Sequence, residues 1–186
     1  MPELPELEII EEVLNRRAVG QSITGVRLIP PGSAIVLRDL TNTGFEKSLT
    51  GRSIESVRRR GKFLVFELGA DPSKLYLAIN PKLTGRLQLA GETDKLHLKT
   101  HLILTLSSGE QLRYFDQKQM GQLYLSLERE AVPGFTDVGP EPLEISLEEF
   151  TVRLKGYRGE IKSVLTRGGF VAGIGNAYAD EILWQA

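Results

Sequence analysis

The chain has 186 residues, no cysteine and a net charge of −1, with 41% hydrophobic and 25% charged residues. This composition is typical of a folded protein with one domain or two small ones, and the lack of cysteine excludes disulfides, thiolate zinc sites, iron–sulfur clusters and a cysteine nucleophile. No apolar run approaches the roughly 20 residues that span a bilayer. We therefore expect no membrane association and, because the first residues are acidic, no leader peptide and a cytoplasmic location.

The first predicted element is a helix from Pro5 to Ala18. Proline suits the first turn of a helix, where its missing N–H has no intrahelical partner to lose. Gly20 follows as a stop signal. One apolar face is predicted for this helix, because four apolar residues recur at helical spacing: Leu7, Ile10, Val13 and Leu14.

After this helix the apolar pattern changes to that of β-strands. Short segments rich in β-branched, aromatic or leucine residues are separated by turn sequences such as residues 30–32, 69–72 and 107–109. The predicted strands lie near residues 22–29, 33–38, 52–68, 75–80, 84–89, 96–106, 111–115 and 121–127. Many short strands joined by hairpin turns predict an antiparallel β-sandwich.

A stretch rich in proline and glycine, residues 132–142, precedes a helical end of the chain. Ser146 and Glu149 fit a capping box, and two further helices are predicted, one at Glu160–Leu165 and one from Ile174 or Gly175 to Gln185. The fold class is thus α+β. An N-terminal helix packs on an antiparallel β-sandwich in residues 1–133, and a small helical module occupies residues 134–186.

Two basic clusters, residues 52–62 and 153–167, stand out in an otherwise acidic chain. If they share one face, that face would bind a polyanion such as DNA. The alternative is two unrelated solvated faces.

Residue 2 carries a possible nucleophile. The initiator methionine is expected to be removed before Pro2, which would leave a secondary amine able to attack an aldehyde-like carbon and form an iminium. Glu3 is placed to move a proton beside it. The alternative is that an acid near a helix start only complements the helix dipole.

Two further motifs point to chemistry or to phosphate. Arg58-Arg59-Arg60-Gly61-Lys62 presents Lys62 at a hairpin, either in an active site or on an exposed basic edge. Gly173-Ile174-Gly175-Asn176 lacks the third glycine and the preceding strand of a dinucleotide-binding motif. It instead predicts a helix N-terminus that grips phosphate, with Asn176 either capping the helix or donating to the phosphate.

Five motifs in order along the chain resemble the formamidopyrimidine-DNA glycosylase family. They are Met1-Pro2-Glu3-Leu4-Pro5-Glu6, Arg59-Arg60-Gly61-Lys62, Thr84-Gly85-Arg86-Leu87 with Leu112-Arg113-Tyr114-Phe115-Asp116, Gly139-Pro140-Glu141-Pro142-Leu143, and Ile161-Lys162 followed by Gly173-Ile174-Gly175-Asn176-Ala177-Tyr178. The last resembles a helix–two-turn–helix DNA-binding module. The resemblance identifies residues 1–133 as a catalytic domain and residues 134–186 as a DNA-binding module.

The resemblance implies a base-excision repair enzyme that acts on double-stranded damaged DNA. It would be a bifunctional DNA glycosylase and abasic-site lyase that removes oxidised purines (8-oxoguanine and formamidopyrimidines) after the damaged nucleotide is flipped out. By this likeness the catalytic residues are Pro2, Glu3, Lys62 and Glu6, and the DNA-binding residues are Asn80, Lys162, Gly175 and Asn176. No metal takes part in the implied chemistry.

Three residues resemble those that fill the void left by the flipped base: Leu83, Lys118 and Met120. They depart from the family pattern, which usually has methionine, arginine and phenylalanine there. Asn80 likewise stands where the family usually has histidine. Lysine pairs less specifically than arginine with an orphaned base, so the preference for the opposite base is left open.

Family members continue into a C-terminal zinc finger with four cysteines. We therefore expect that this chain is a fragment without that structural zinc and without any other cofactor, with reduced base excision. We expect a monomer in the bacterial cytoplasm, associated with the nucleoid. The alternatives are a module that binds damaged or abasic DNA without catalysis, and an unrelated structural β-sandwich.

Overall fold

The computed structural model describes residues 2–69 and 74–186. The first helix, α1 (Leu4–Arg17), matches the prediction closely. Its N-cap is Glu3, whose backbone N–H donates to Glu6 Oε2 over 2.9 Å. Leu7 and Leu14, from the predicted apolar stripe, are buried in the main core. The predicted turn at residues 69–72 lies mostly outside the described residues.

Two sheets follow α1. One has four strands in the order β1-β7-β8-β6, and the other has five in the order β2-β9-β5-β4-β3. The strands are β1 (Ile23–Leu28), β2 (Leu37–Asp39), β3 (Ser53–Arg60), β4 (Phe63–Gly69), β5 (Leu75–Asn80), β6 (Gly85–Ala90), β7 (Thr100–Leu106), β8 (Gln111–Asp116) and β9 (Gln122–Ser126). Neighbouring strands pair antiparallel as predicted, except that the short β2 runs parallel to β9.

The apolar residues of both sheets and of α1 form one core. Phe66 and Leu77 come from the five-stranded sheet, and Leu104 and Leu112 from the four-stranded sheet. All four side chains are at most 2% exposed. Alternating apolar residues in the strands thus bury one face of each sheet, which explains why the period-2 pattern predicted a sandwich.

Three segments differ from the predictions. Residues 33–38 fold mostly as a short helix, α2 (Gly32–Val36), and a second short helix, α3 (Phe45–Leu49), was not predicted. The predicted strand at 96–106 begins only at Thr100, and Leu98 is 89% exposed. The loop after β6 is held at Gly91 and Asp94, whose carbonyl oxygens accept from the buried Arg113 guanidinium.

The end of the chain is helical, as predicted. It contains α4 (Leu147–Lys155), α5 (Ile161–Leu165) and α6 (Asn176–Gln185). Ser146 Oγ accepts from the Glu149 N–H over 3.1 Å, which is the capping contact expected from the sequence. These helices have a core of their own, formed by Val164, Leu165, Phe170, Val171, Ile174 and Ala179. Within residues 2–69 and 74–186, no helix has the length and apolar character needed to cross a membrane.

Candidate active site

The start of the chain lies against the N-terminus of α6. Pro2 is buried, and Glu3 is only 3% exposed. The Glu3 carboxylate accepts the backbone N–H groups of Gly175, Ala177 and Tyr178 over 2.8, 3.1 and 3.1 Å. The first N–H groups of a helix have no partner within it, and they attract negative charge. The Glu3 carboxylate provides both an acceptor for these N–H groups and a negative charge. This contact fixes residue 2 beside the helical module.

Glycine is required where these two segments meet. A Cβ atom on Gly175 would lie 2.3 Å from Glu3 Oε1, too close for any side chain. Gly173 has φ +81°, a conformation that favours glycine, and its carbonyl accepts the Leu4 N–H over 3.2 Å. The Gly-Ile-Gly motif therefore allows the first residues of the chain to approach the helix.

Glu6 joins the same contact region. Its carboxylate accepts the Glu3 N–H over 2.9 Å and the Tyr178 hydroxyl over 3.1 Å. Burial acts in the opposite direction, but these hydrogen bonds lower the pKa of Glu6 below its ordinary value. Glu6 thus remains an anion that orients both the start of α1 and Tyr178.

Lys62 lies in the hairpin between β3 and β4. Burial and the nearby charge of Lys82 lower the pKa of Lys62, whereas the Glu3 carboxylate acts in the opposite direction. The two predicted catalytic residues, far apart in sequence, therefore interact electrostatically. Lys82 was not among the predicted site residues. Its φ of 50°, uncommon for a residue with a side chain, results from a turn that the sequence hardly reveals.

Glu141 fixes the hairpin that carries Lys62. Its carboxylate accepts the Gly61 N–H over 2.7 Å and Arg60 Nη1 over 2.9 Å, and it also pairs with Arg59. The Arg59 side chain is only 5% exposed. Two arginines of the basic cluster at residues 52–62 therefore bind an internal carboxylate, so they are not free charges on a solvated face.

The predicted phosphate-binding residues differ in how available they are to a ligand. Asn80 ends β5 and is 7% exposed. Lys162 on α5 pairs with Asp180 on α6 over 2.6 Å. The Gly175 N–H is already bonded to Glu3, and Asn176 is the exposed first residue of α6 rather than its cap. Gly175 is therefore buried and already bonded, whereas the Asn176 side chain faces solvent.

The three predicted void-filling residues lie on two neighbouring turns. These turns, residues 81–84 and 117–120, are called the turn pair below. They flank the ends of β6 and β8, where Gly85 pairs with Asp116. Leu83 and Met120 are 39% and 51% exposed, and Lys118 is exposed as well. The structure therefore brings together residues that the sequence places about 35 positions apart.

Sequence comparison gives a family match. Residues 1–123 match the family described as "Formamidopyrimidine-DNA glycosylase N-terminal domain". The whole chain is 38% identical over 190 residues to the formamidopyrimidine-DNA glycosylase of Moorella thermoacetica. It is 36% identical over 193 residues to that of Lactococcus lactis subsp. lactis. The chain spans 67% of the length of each of these relatives.

Solved structures agree in fold and sequence. Lactococcus lactis Fpg bound to abasic-site DNA aligns with a TM-score of 0.83 and 33% identity over 98% of this chain and 66% of its own. MutM bound to DNA with carbocyclic 8-oxo-G aligns with a TM-score of 0.82 and 34% identity over 98% of this chain and 67% of its own. With its sandwich, its Pro2-Glu3 start on α6 and its Lys62 hairpin, the chain belongs to the formamidopyrimidine-DNA glycosylase family.

Proposed function

We propose that the chain is a base-excision repair glycosylase and abasic-site lyase that acts through the Pro2 amine on oxidised purines in duplex DNA. One observation carries this proposal: the carboxylate of Glu3, the residue after Pro2, is bound by the start of α6 and acts electrostatically on Lys62. Glu3 thus links the start of the chain, where removal of Met1 would free the Pro2 amine, to the helical module and to the charge of Lys62. The relatives' names and their damaged-DNA complexes support the same reaction class.

Pro2 begins the proposed reaction. Its nitrogen attacks C1′ of the flipped nucleotide, the glycosidic bond breaks, and the base leaves with the bonding electrons. Lys62, as an ammonium, gives a proton to the departing base and contacts phosphate. Glu3 assists proton transfer at the sugar ring oxygen as the ring opens, which leaves an iminium between Pro2 and C1′.

The iminium then permits strand cleavage. It draws electrons from C1′, so the proton on C2′ is lost and the C3′–O bond breaks. Loss of the C4′ proton and cleavage of the C5′–O bond follow, and water releases the sugar fragment and restores the Pro2 amine. Each of the two strand ends that result carries a phosphate monoester. The protein supplies the amine, positions the sugar and moves protons.

The proposed partner of the chain is double-stranded damaged DNA. Asn80, Lys162 and Asn176 contact phosphates of the duplex, and the chain acts as a monomer in the bacterial cytoplasm. Chemistry at preformed abasic sites is less dependent on base recognition than excision is, so it persists better in this chain. The chain has no cysteine, so its residues do not form the four-cysteine zinc finger that the family implies.

Borohydride trapping tests the role of Pro2. A preparation with a free Pro2 amine, verified by mass, is compared with the same chain carrying an uncleaved N-terminal extension. With duplex DNA containing an abasic site, we expect a covalent adduct with the free amine only. An adduct in the extended chain would assign the chemistry to another amine, with Lys62 the first to test.

The same experiment decides between catalysis and binding alone. A protein that only recognises damage would bind the abasic duplex in a mobility-shift assay and form no adduct in either preparation. That result would favour the DNA-binding module over the enzyme.

The Lys162–Asp180 pair gives a prediction about affinity. Both side chains are exposed, so the pair adds little stability, yet it competes with phosphate for the Lys162 ammonium. We expect Asp180→Asn to tighten duplex binding about 2- to 5-fold at low salt. Lys162→Ala should weaken binding and reduce the salt slope by about one. Glu181→Gln, the same charge change at the next residue of α6, is the control for affinities measured by fluorescence anisotropy.

If Asp180→Asn and Glu181→Gln tighten binding equally, the effect is one of net charge. The competition between Asp180 and phosphate would then be ruled out.

A further inference from the structure

The turn pair is held together by one buried carboxylate. Asp116 has no exposed surface, and its Oδ1 accepts the Thr84 hydroxyl from one turn and the Lys118 N–H, over 3.2 Å, from the other. Its Oδ2 accepts the Gly121 N–H over 2.7 Å. Thr84 Oγ1 also accepts the Lys118 N–H over 2.9 Å, so the two turns are bonded directly as well.

The surroundings of Asp116 favour this single arrangement. No salt bridge among the described residues includes Asp116, so its buried charge depends on hydrogen bonds. The Tyr114 hydroxyl lies 3.4 Å from Oδ2, and burial and the Asp116 charge raise the pKa of Tyr114, so it stays a donor. On the backbone side, His101 Nε2 lies 3.0 Å from the Asp116 carbonyl oxygen and donates to it.

Glycines allow the close approach of the turns to Tyr114. A Cβ on Gly121 would lie 1.7 Å from the Tyr114 hydroxyl oxygen, and one on Gly85 would lie 2.4 Å from it. The turns therefore meet a rigid, fully buried support, whereas the tips that they carry, Leu83 and Met120, are open to solvent. Rigid support under exposed apolar tips is the arrangement that a base-stack wedge needs.

We propose that Asp116 is a positioning residue for damage recognition, because its carboxylate presents Leu83 together with Lys118 and Met120 as one unit for insertion into the base stack. The proposal rests on the proposed function, since insertion follows extrusion of the damaged nucleotide. It places Asp116 behind the inserting residues, where it does not touch the DNA. It also assigns to Thr84 the role of joining the first turn to the second.

The test measures insertion without chemistry. The 186-residue chain binds a duplex with a tetrahydrofuran abasic analogue and 2-aminopurine as the opposite base, and unstacking of that base raises its fluorescence. Wild type and Thr84→Ser, which keeps the hydroxyl, should give the full rise. Thr84→Val and Asp116→Asn should lose most of it while binding the duplex within about 3-fold of wild type, since the phosphate contacts supply most of the affinity.

Thr41→Val is the matched control, because Thr41 Oγ1 donates to the Asp39 carboxylate over 2.6 Å in a turn of similar design that carries none of the inserting residues. It should keep the full rise. Excision of 8-oxoguanine should fall roughly 10- to 100-fold in Thr84→Val and Asp116→Asn, as the loss of one or two buried hydrogen bonds allows, with cleavage of preformed abasic sites changed less.

Three results would overturn the proposal: no fluorescence rise in wild type, an unchanged rise in Thr84→Val, or an equal loss in Thr41→Val. If Asp116→Asn fails to fold, the comparison of the fluorescence rise in Thr84→Val with that in Thr84→Ser decides the proposal. If no Pro2 adduct forms in the trapping experiment, the proposed catalysis fails, but the fluorescence result still decides the role of Asp116.

Discussion

Glu3→Gln is expected to reduce base excision by about 100-fold or more, because on the proposed mechanism it removes the group that moves a proton at the reacting sugar. The substitution also places an amide N–H₂ against backbone donors that now bond to the carboxylate over 2.8 and 3.1 Å. Leaving such buried groups mismatched costs about 1–3 kcal/mol. Single-turnover excision of 8-oxoguanine measures the first effect, and the free energy of unfolding in urea measures the second.

Gly175→Ala separates the two causes. It leaves Glu3 chemically intact but places a Cβ 2.3 Å from Oε1, so the carboxylate has to move. An activity loss close to that of Glu3→Gln would assign the effect to the position of the carboxylate at α6. Glu12→Gln, at an exposed position of α1, is the control for the charge change. Full excision activity in Glu3→Gln would remove Glu3 from the mechanism.

Glu141→Gln is expected to lower the free energy of unfolding by about 3 kcal/mol, since breaking a buried ion pair leaves an uncompensated charge. The charge left behind is the Arg59 guanidinium, whose side chain is 5% exposed. It keeps its contacts with the Glu8 carboxylate and the Gly61 carbonyl oxygen, which compensate the charge only in part. The Gly61 N–H would lose a charged acceptor at the same time. Because Gly61 precedes Lys62, we also expect slower excision.

The effect of Glu141 depends on pH in a defined direction. Burial opposes the shift, but hydrogen bonds from Gly61, Arg60 and Arg59 hold the pKa of Glu141 below its ordinary value of 4.5. Its stabilisation is therefore fully present above pH 4.5 and is lost as the pH falls through the lower pKa of the folded state. Urea unfolding should thus show the gap between wild type and Glu141→Gln closing in acid. Glu144→Gln, at an exposed neighbour, should show no gap; a gap that is constant with pH would contradict the assignment.

Much of the fold could be predicted because local signals agreed with the final packing. Pro5 and the apolar stripe placed α1, and the Ser146 cap placed α4. The exposed leucine at 98 misled the prediction, because alternation alone does not reveal which residues a sheet buries. The parallel pairing of β2 with β9 spans only three residue pairs and leaves no local trace.

The candidate site was predictable in its members but not in its contacts. The family motifs pointed to Glu3 and to the glycines at 173 and 175. That the Glu3 carboxylate accepts the N–H groups at the start of α6 depends on residues 172 positions apart, which no local pattern encodes. The contact of Arg59 with Glu141 could not be predicted either. A run of basic residues has the same sequence pattern whether its side chains face water or bind a carboxylate.

The contact between Glu3 and α6 also imposes an order of events during synthesis. A growing chain leaves the ribosome with its first residues in front, and the N–H groups that receive Glu3 are not synthesised until nearly 180 residues have been joined. Until then Glu3 has no α6 to bind, whereas in the folded chain Pro2 is buried. The proposed mechanism requires removal of Met1 to free the Pro2 amine. Because the site assembles late, that removal can take place before Pro2 is buried.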